Sequence, residues 1–197
     1  MTHGHYAIRG GVAGRERLRV LARVMEPTTA GLFRRVGVQA GWQCLDVGCG
    51  GGDVAFLLAG FVGAAGKVTG ADIDGAKLEI AVREAQALGL RNVEFEQLAV
   101  EDLAGAQHDL VYARFLLTHL PDPLAAARSL WGVTRPGGLV VVEDVDFAGH
   151  FCHPECPAFS RYVELYQQVV RRRGGDPTIG PRLPTLLRAA GCQGIQV

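Results

Sequence analysis

The sequence predicts an α/β domain built on a doubly wound, mainly parallel sheet, and three observations carry that expectation. Short apolar runs alternate with helical segments from residue 44 to residue 142. A glycine-rich turn, Gly48-Cys49-Gly50-Gly51-Gly52, follows the first of these runs directly. The run Leu139-Val140-Val141-Val142 is almost continuously β-branched, which suits a strand in the middle of a parallel sheet. Such alternation calls for right-handed crossovers and helices on both sides of the sheet.

The elements follow in order. Residues 1–14 are polar and carry Gly10, Gly11 and Gly14, which oppose early helix formation. Leu18, Val20, Leu21, Val24 and Met25 recur at helical spacing, and Pro27 is expected to end that helix before a second one over residues 28–35. Strands are expected at 44–47, 67–71, 93–96, 109–112 and 139–142. Helices are expected at 53–61, 75–88 and 121–133, with Gly89 stopping the second and Arg135-Pro136-Gly137-Gly138 closing the third. Beyond Phe147 two more helices are read at 157–172 and 183–190, and Ile195-Gln196-Val197 reads as the start of a sixth strand. The chain thus divides into a helical cap (1–37), an α/β core (38–147) and a segment of acceptor-side helices ending in the start of a sixth strand (148–197).

Composition narrows the function classes. Apolar residues make up 48% and charged residues 20%, as in an ordinary globular domain. Twenty Lys and Arg balance twenty Asp and Glu, so charge alone gives no nucleic-acid or membrane partner. The run Arg171-Arg172-Arg173 reads as the cationic end of a helix. No stretch is long enough to span a bilayer, and no secretory signal is visible at the N-terminus. Five cysteines form no disulfide framework, which suits a reducing cytoplasm.

The glycine turn carries the strongest chemical signal. Glycines directly after a strand let the backbone approach a ligand, and the next helix points its free amides into the same space. A dinucleotide fingerprint needs a small residue at position 53, but Asp53 stands there and Asp46 lies across the turn. Two acids oppose a pyrophosphate at a helix N-terminus. A phosphate-free ligand with a sulfonium and an ammonium group, S-adenosylmethionine, reverses that charge logic. Asp72 ends the second strand where an acid can accept both ribose hydroxyls, and Ile73 beside it is placed to pack on an adenine face.

With Leu45-Asp46-Val47-Gly48-Cys49-Gly50-Gly51-Gly52-Asp53, residues 68–74, residues 109–122 and Arg135-Pro136-Gly137-Gly138 in order, the chain resembles the class I S-adenosylmethionine-dependent methyltransferases. Within them it is most similar to the group related to ubiquinone and menaquinone biosynthesis methyltransferases. The likeness covers about residues 40–147, and the lead-in Tyr6-Ala7-Ile8-Arg9-Gly10-Gly11 and Arg15-Glu16-Arg17-Leu18 is also similar to some members. It implies a Rossmann-like fold in which Asp46, Gly48, Gly50 and Gly52 surround the methionine part of S-adenosylmethionine. It further implies that Asp72 holds the ribose, Ile73 the adenine face, and Ala99, Val100 and Glu101 the adenine edge. Ala113 and Arg114 would lie beside the sulfonium or the methionine backbone. Two departures stand out: an acid often occupies the position of Ala99, and members continue through a sixth and an antiparallel seventh strand, of which this chain shows only a beginning. An incomplete sheet would leave an edge open to a second copy of the chain.

Methyl transfer to oxygen, nitrogen or acidic carbon often calls for a general base. His119 in Leu117-Thr118-His119-Leu120-Pro121 is the catalytic candidate, with helix capping or packing as its alternative. His150, Cys152, His153, Glu155 and Cys156 cluster after the fifth strand without completing a metal set, so no metal is expected and the segment reads as a loop over the acceptor. Asp144 and Asp146 are strand-end acids, and the aromatic side of residues 159–166 reads as helix packing. The expected function is methyl transfer from S-adenosylmethionine to a small-molecule acceptor, without nucleic acid. The alternatives are a non-catalytic cofactor- or partner-binding protein and a nicotinamide-dependent oxidoreductase, the latter opposed by Asp53.

Overall fold

A computed structural model of the chain describes residues 11–105 and 107–197. The tyrosine-containing lead-in before Gly11 lies outside the described residues. Five parallel strands form one sheet in the order β3-β2-β1-β4-β5. They are β1 (Gln43–Val47), β2 (Lys67–Asp72), β3 (Val93–Gln97), β4 (His108–Arg114) and β5 (Thr134–Glu143). The helices are α1 (Gly11–Val36), α2 (Asp53–Val62), α3 (Gly75–Ala87), α4 (Pro123–Gly132), α5 (Pro157–Arg172) and α6 (Leu183–Ala190).

Strand alternation sorts the core into two layers. Cys44, Val68, Leu110 and Tyr112 point to one face and meet Val54, Ala55, Leu58 and Val62 of α2 with Phe33 of α1. Leu45, Val47, Ala71, Val111 and Ala113 point to the other and meet Ala126 and Leu130 of α4 with Leu186 of α6. Because the period is two, Asp46 falls on the α1–α2 face, between Gly70 of β2 and Tyr112 of β4. Asp46, Asp72, Arg114 and Glu143 therefore come together at the carboxyl ends of their strands, where open α/β sheets bind ligands.

Three expectations are corrected. Pro27 does not end the first helix: α1 runs through it as a single helix, and Gly11 and Gly14 lie within that helix. Thr28 Oγ1 donates to the Met25 carbonyl at 2.7 Å, and buried Thr29, Ala30 and Phe33 fix the following turn to the sheet. That packing outweighs a local proline cost of about 3 kcal/mol. Residues 135–138 do not close α4 as a turn but belong to β5, which shifts register so that His108 faces Thr134 and Leu110 faces Leu139. Gly138 permits the shift, since a Cβ there would stand 2.9 Å from the His108 carbonyl oxygen, and Arg135 Nε bonds Asp109 at 2.6 Å. Residues 195–197 form no strand, so five strands make up the sheet of the described residues.

Candidate functional site

The turn after β1 is fastened to β2. The Gly48 and Cys49 amides donate to the Ala71 carbonyl at 2.8 and 3.0 Å, and the Gly50 amide donates to Asp72 Oδ2 at 2.8 Å. Gly48, Gly50 and Gly52 all have positive φ, at 72°, 56° and 84°. Asp72 Oδ1 accepts from the Asp74 amide at 2.9 Å, and Asp74, rather than Asp72, caps α3 through the Lys77 amide. Asp72 thus presents a carboxylate oriented by two amides with lone pairs to spare. Next to it Ile73 is 55% exposed, an apolar side chain turned to solvent beside the Asp72 carboxylate.

Asp46 is 2% exposed, and its Oδ2 has no hydrogen-bond partner among the described residues. Burial pushes its carboxyl up to about 7, while the charge of Arg114 pulls it back and that of Asp72 raises it further. A buried oxygen without a donor costs free energy unless a ligand supplies one. An ammonium group fits that requirement and a phosphate does not.

The segment after β3 joins the same rim. The Leu98 amide donates to the Asp72 carbonyl at 3.1 Å, and Ala99 opens a single 3-10 turn over Val100–Asp102. Val100 turns its side chain into the core and Glu101 is exposed, so this segment offers the rim backbone at Ala99 and Val100 and an exposed carboxylate.

At the end of β4, Ala113 is buried and Arg114 donates from Nη1 to Thr29 Oγ1 at 3.1 Å. Thr29 donates in turn to Glu143 Oε2 at 2.9 Å, and the Tyr112 hydroxyl donates to the same oxygen. Burial and the adjacent Glu143 push the Tyr112 hydroxyl well above its ordinary pKa, so it stays protonated as a donor. Phe115, directly after Arg114, holds φ at 53°, a left-handed conformation that costs a non-glycine residue about 1 kcal/mol or more and clusters at functional sites.

α1 lies across the glycine turn. Arg15 is 3% exposed, and a Cβ on Gly51 would stand 2.5–2.6 Å from its Nε, Cδ and Cζ. Its guanidinium donates to Asp53 at 2.5 and 2.9 Å and to Glu84 of α3 at 3.3 and 2.5 Å. Burial alone would lower the Arg15 pKa, but the bonds to Asp53 and Glu84 outweigh it and raise it. Asp53 is consequently an ion-paired acid and not a lone charge beside the turn. Leu18 covers Gly50, while Val20 and Val24 of the same apolar set point outward at 50% and 69% exposure.

His119 sits in a 3-10 turn, Leu117–His119, and burial, with Arg17, Arg173 and Lys77 nearby, pushes it down to about 4. Asp144 accepts from the Thr118 and Val145 amides at 3.0 and 2.8 Å, fastening that turn to the end of β5. Burial pushes Asp144 up to about 6 against those bonds. Asp146 caps a 3-10 turn through the Ala148 amide, and His150 stacks on Phe147 at 4.5 Å, which stacks on Tyr166 at 4.1 Å. Cys152, His153, Glu155 and Cys156 are exposed, and no group of three or more metal-ligating side chains converges among the described residues.

The structure thus brings Asp46, Asp72, the glycine turn and residues 98–101 to one rim, with Arg114 beside Asp46. Arg15, Thr29, Tyr112, Phe115 and Glu143 were not legible as site residues. Only Gly51, a third glycine where the fingerprint needs none, signalled the close approach of another side chain.

This fold and rim define the class of methyltransferase domains that take S-adenosylmethionine as methyl donor. The chain belongs to the methyltransferase domain family, whose profile matches residues 39–172. It is 35% identical over 115 residues to a ubiquinone biosynthesis O-methyltransferase of Acinetobacter baumannii, covering 57% of this chain and 47% of the relative. It is 34% identical over 137 residues to a demethylmenaquinone methyltransferase of Lactococcus lactis, covering 68% and 52%. The crystal structure of an arsenic(III) S-adenosylmethionine methyltransferase from Chlamydomonas reinhardtii is similar at 27% identity and a TM-score of 0.59, covering 79% of this chain and 52% of that one. The chain spans about half the length of the curated relatives it matches. No helix among the described residues is long and apolar enough to cross a membrane.

Proposed function

We propose that this chain transfers the methyl group of S-adenosylmethionine to a small-molecule acceptor. The observation that carries the reading is the unpartnered, buried Oδ2 of Asp46 beside a glycine turn, with an exposed apolar residue next to the acid at the end of β2. When bound, S-adenosylmethionine supplies an activated methyl group on positively charged sulfur. Asp46 accepts from its ammonium group, and the turn carrying Gly48, Gly50 and Gly52 admits the methionine part. Asp72 accepts from both ribose hydroxyls, Ile73 packs on the adenine, and Ala99, Val100 and Glu101 meet its edge. Ala113 and Arg114 flank the methionine end.

The remaining residues position and enclose. Arg15 and Leu18 hold α1 over the glycine turn. His119, neutral at physiological pH, is the group proposed to accept a proton from the acceptor, with orientation of the two reactants as the larger contribution. The names of the quinone-biosynthesis relatives support a small-molecule acceptor. Incubation with isotope-labelled S-adenosylmethionine and a panel of phenols, quinols, carboxylates and amines tests the proposal by mass spectrometry. Label in a panel member supports it. Tight donor binding with no labelled product across the panel favours a non-catalytic cofactor-binding role.

A further inference from the structure

α1 is held at both ends and spans a gap between them. Arg15 binds Asp53 and Glu84 near its start, and Thr29 binds Glu143 near its end. Between these anchors lies a cavity of about 550 Å³, walled by α1 and the first turns of α2, with Arg114 reaching in from the end of β4. That volume suits a small organic ligand.

The charges around it are unequally committed. Arg19 bonds Glu84 and Glu16, and Asp53 is taken by Arg15. Arg114 donates to the neutral Thr29 hydroxyl, and neither Arg114 nor Arg23 forms an ion pair among the described residues. Glu26 is the remaining acid, exposed on α1. Among the lining residues, pairing therefore leaves half-buried Arg114, which shares Thr29 with Glu143, and exposed Arg23 against exposed Glu26. Val54, Phe56 and Leu57 supply an apolar wall on the α2 side.

We infer that this cavity anchors the methyl acceptor, and that the acceptor is a ring compound carrying a carboxylate, held by Arg114 and Arg23 with its ring against α2. The inference rests on the methyltransferase reading. An arginine fork matches a carboxylate with two parallel bonds, and partial desolvation strengthens them. Phe56 and Leu57 give the ring a surface to bury. The charge of Arg114 acts on Asp46 across the end of the sheet, so a molecule fixed by Arg114 lies next to the donor's seat.

The test uses the full chain with S-adenosylhomocysteine, titrated with benzoate and, separately, with neutral benzamide under saturation-transfer NMR. Benzoate is expected to bind and benzamide to bind at least tenfold more weakly, with Arg23→Gln weakening benzoate roughly tenfold, the loss expected for one charged hydrogen-bonding partner. Arg23→Lys is expected to recover part of that loss, and Glu26→Gln to tighten benzoate. Thermal unfolding of each variant establishes that it is folded. Equal binding of benzoate and benzamide, or unchanged benzoate affinity in folded Arg23→Gln, overturns the inference and leaves the donor site standing. Benzoate binding that depends on Arg23 in a chain that takes no S-adenosylhomocysteine supports the anion site and removes the methyltransferase reading instead.

Discussion

Arg15 passes within contact distance of the Gly51 backbone and places its guanidinium between Asp53 and Glu84, tying α1 to α2 and α3 at the glycine turn. The two acids are about one-quarter exposed and the arginine is nearly buried, so the clasp is partly shielded from solvent. Replacing Arg15 by Ala leaves the Asp53 carboxylate without its cation and Glu84 with Arg19 alone. The expected cost is about 2–3 kcal/mol, below the range for a fully buried pair because the acids retain some water. Urea denaturation checks it, and an unchanged midpoint contradicts the clasp.

Gly51→Ala tests the same relationship from the other side. Its Cβ would collide with Arg15, so the expected cost is about 1–3 kcal/mol in the parent and near zero in the Arg15→Ala background. Equal costs in both backgrounds would show that Gly51 is required for its own sake.

Although Leu139-Val140-Val141-Val142 stands half-buried at the edge of the sheet of the described residues rather than in its middle, the strands themselves were legible as short apolar runs. The continuity of α1 was not, because the cost at Pro27 is local whereas the compensating contacts of Thr29 and Phe33 are with the distant sheet. The start of β5 was hidden for a similar reason: Pro136-Gly137-Gly138 has turn composition, and pairing with β4, with Gly138 close to the His108 carbonyl and Arg135 on Asp109, makes it strand. Asp46 and Asp72 were legible from the motif they flank. Arg15 was not, since its partners lie 38 and 69 residues away.

Asp46→Asn separates stability from donor binding. The folded carboxyl holds its proton up to about pH 7, whereas the unfolded one releases it near 3.8. Its favourable contribution is therefore complete below 3.8 and lost as pH rises to 7. The Asn variant is expected to gain stability relative to the parent as pH rises from 4 to 8, by about 1–3 kcal/mol, while binding S-adenosylhomocysteine more weakly. A difference in melting temperature that does not change with pH contradicts the buried-charge account.

His119 carries the opposite sign. Its folded pKa is pushed down to about 4 from 6.5, so the stability tied to its neutral form is complete above 6.5 and lost as pH falls through 4. His119→Gln is expected to flatten the acid limb of the stability curve in that window. In turnover, the same substitution is expected to lower kcat more than donor affinity. The parent's rate profile is expected to show no histidine limb near 6.5. Equal turnover in parent and variant removes His119 as the base.

Calorimetric titration of the parent and Asp72→Ala with S-adenosylhomocysteine and with NAD is the most direct measurement of the central claim. The account predicts that the parent binds S-adenosylhomocysteine and not NAD. It also predicts a loss of about 1–3 kcal/mol on removing the Asp72 carboxylate. Binding of NAD without the sulfur ligand, or unchanged affinity in Asp72→Ala, would contradict it.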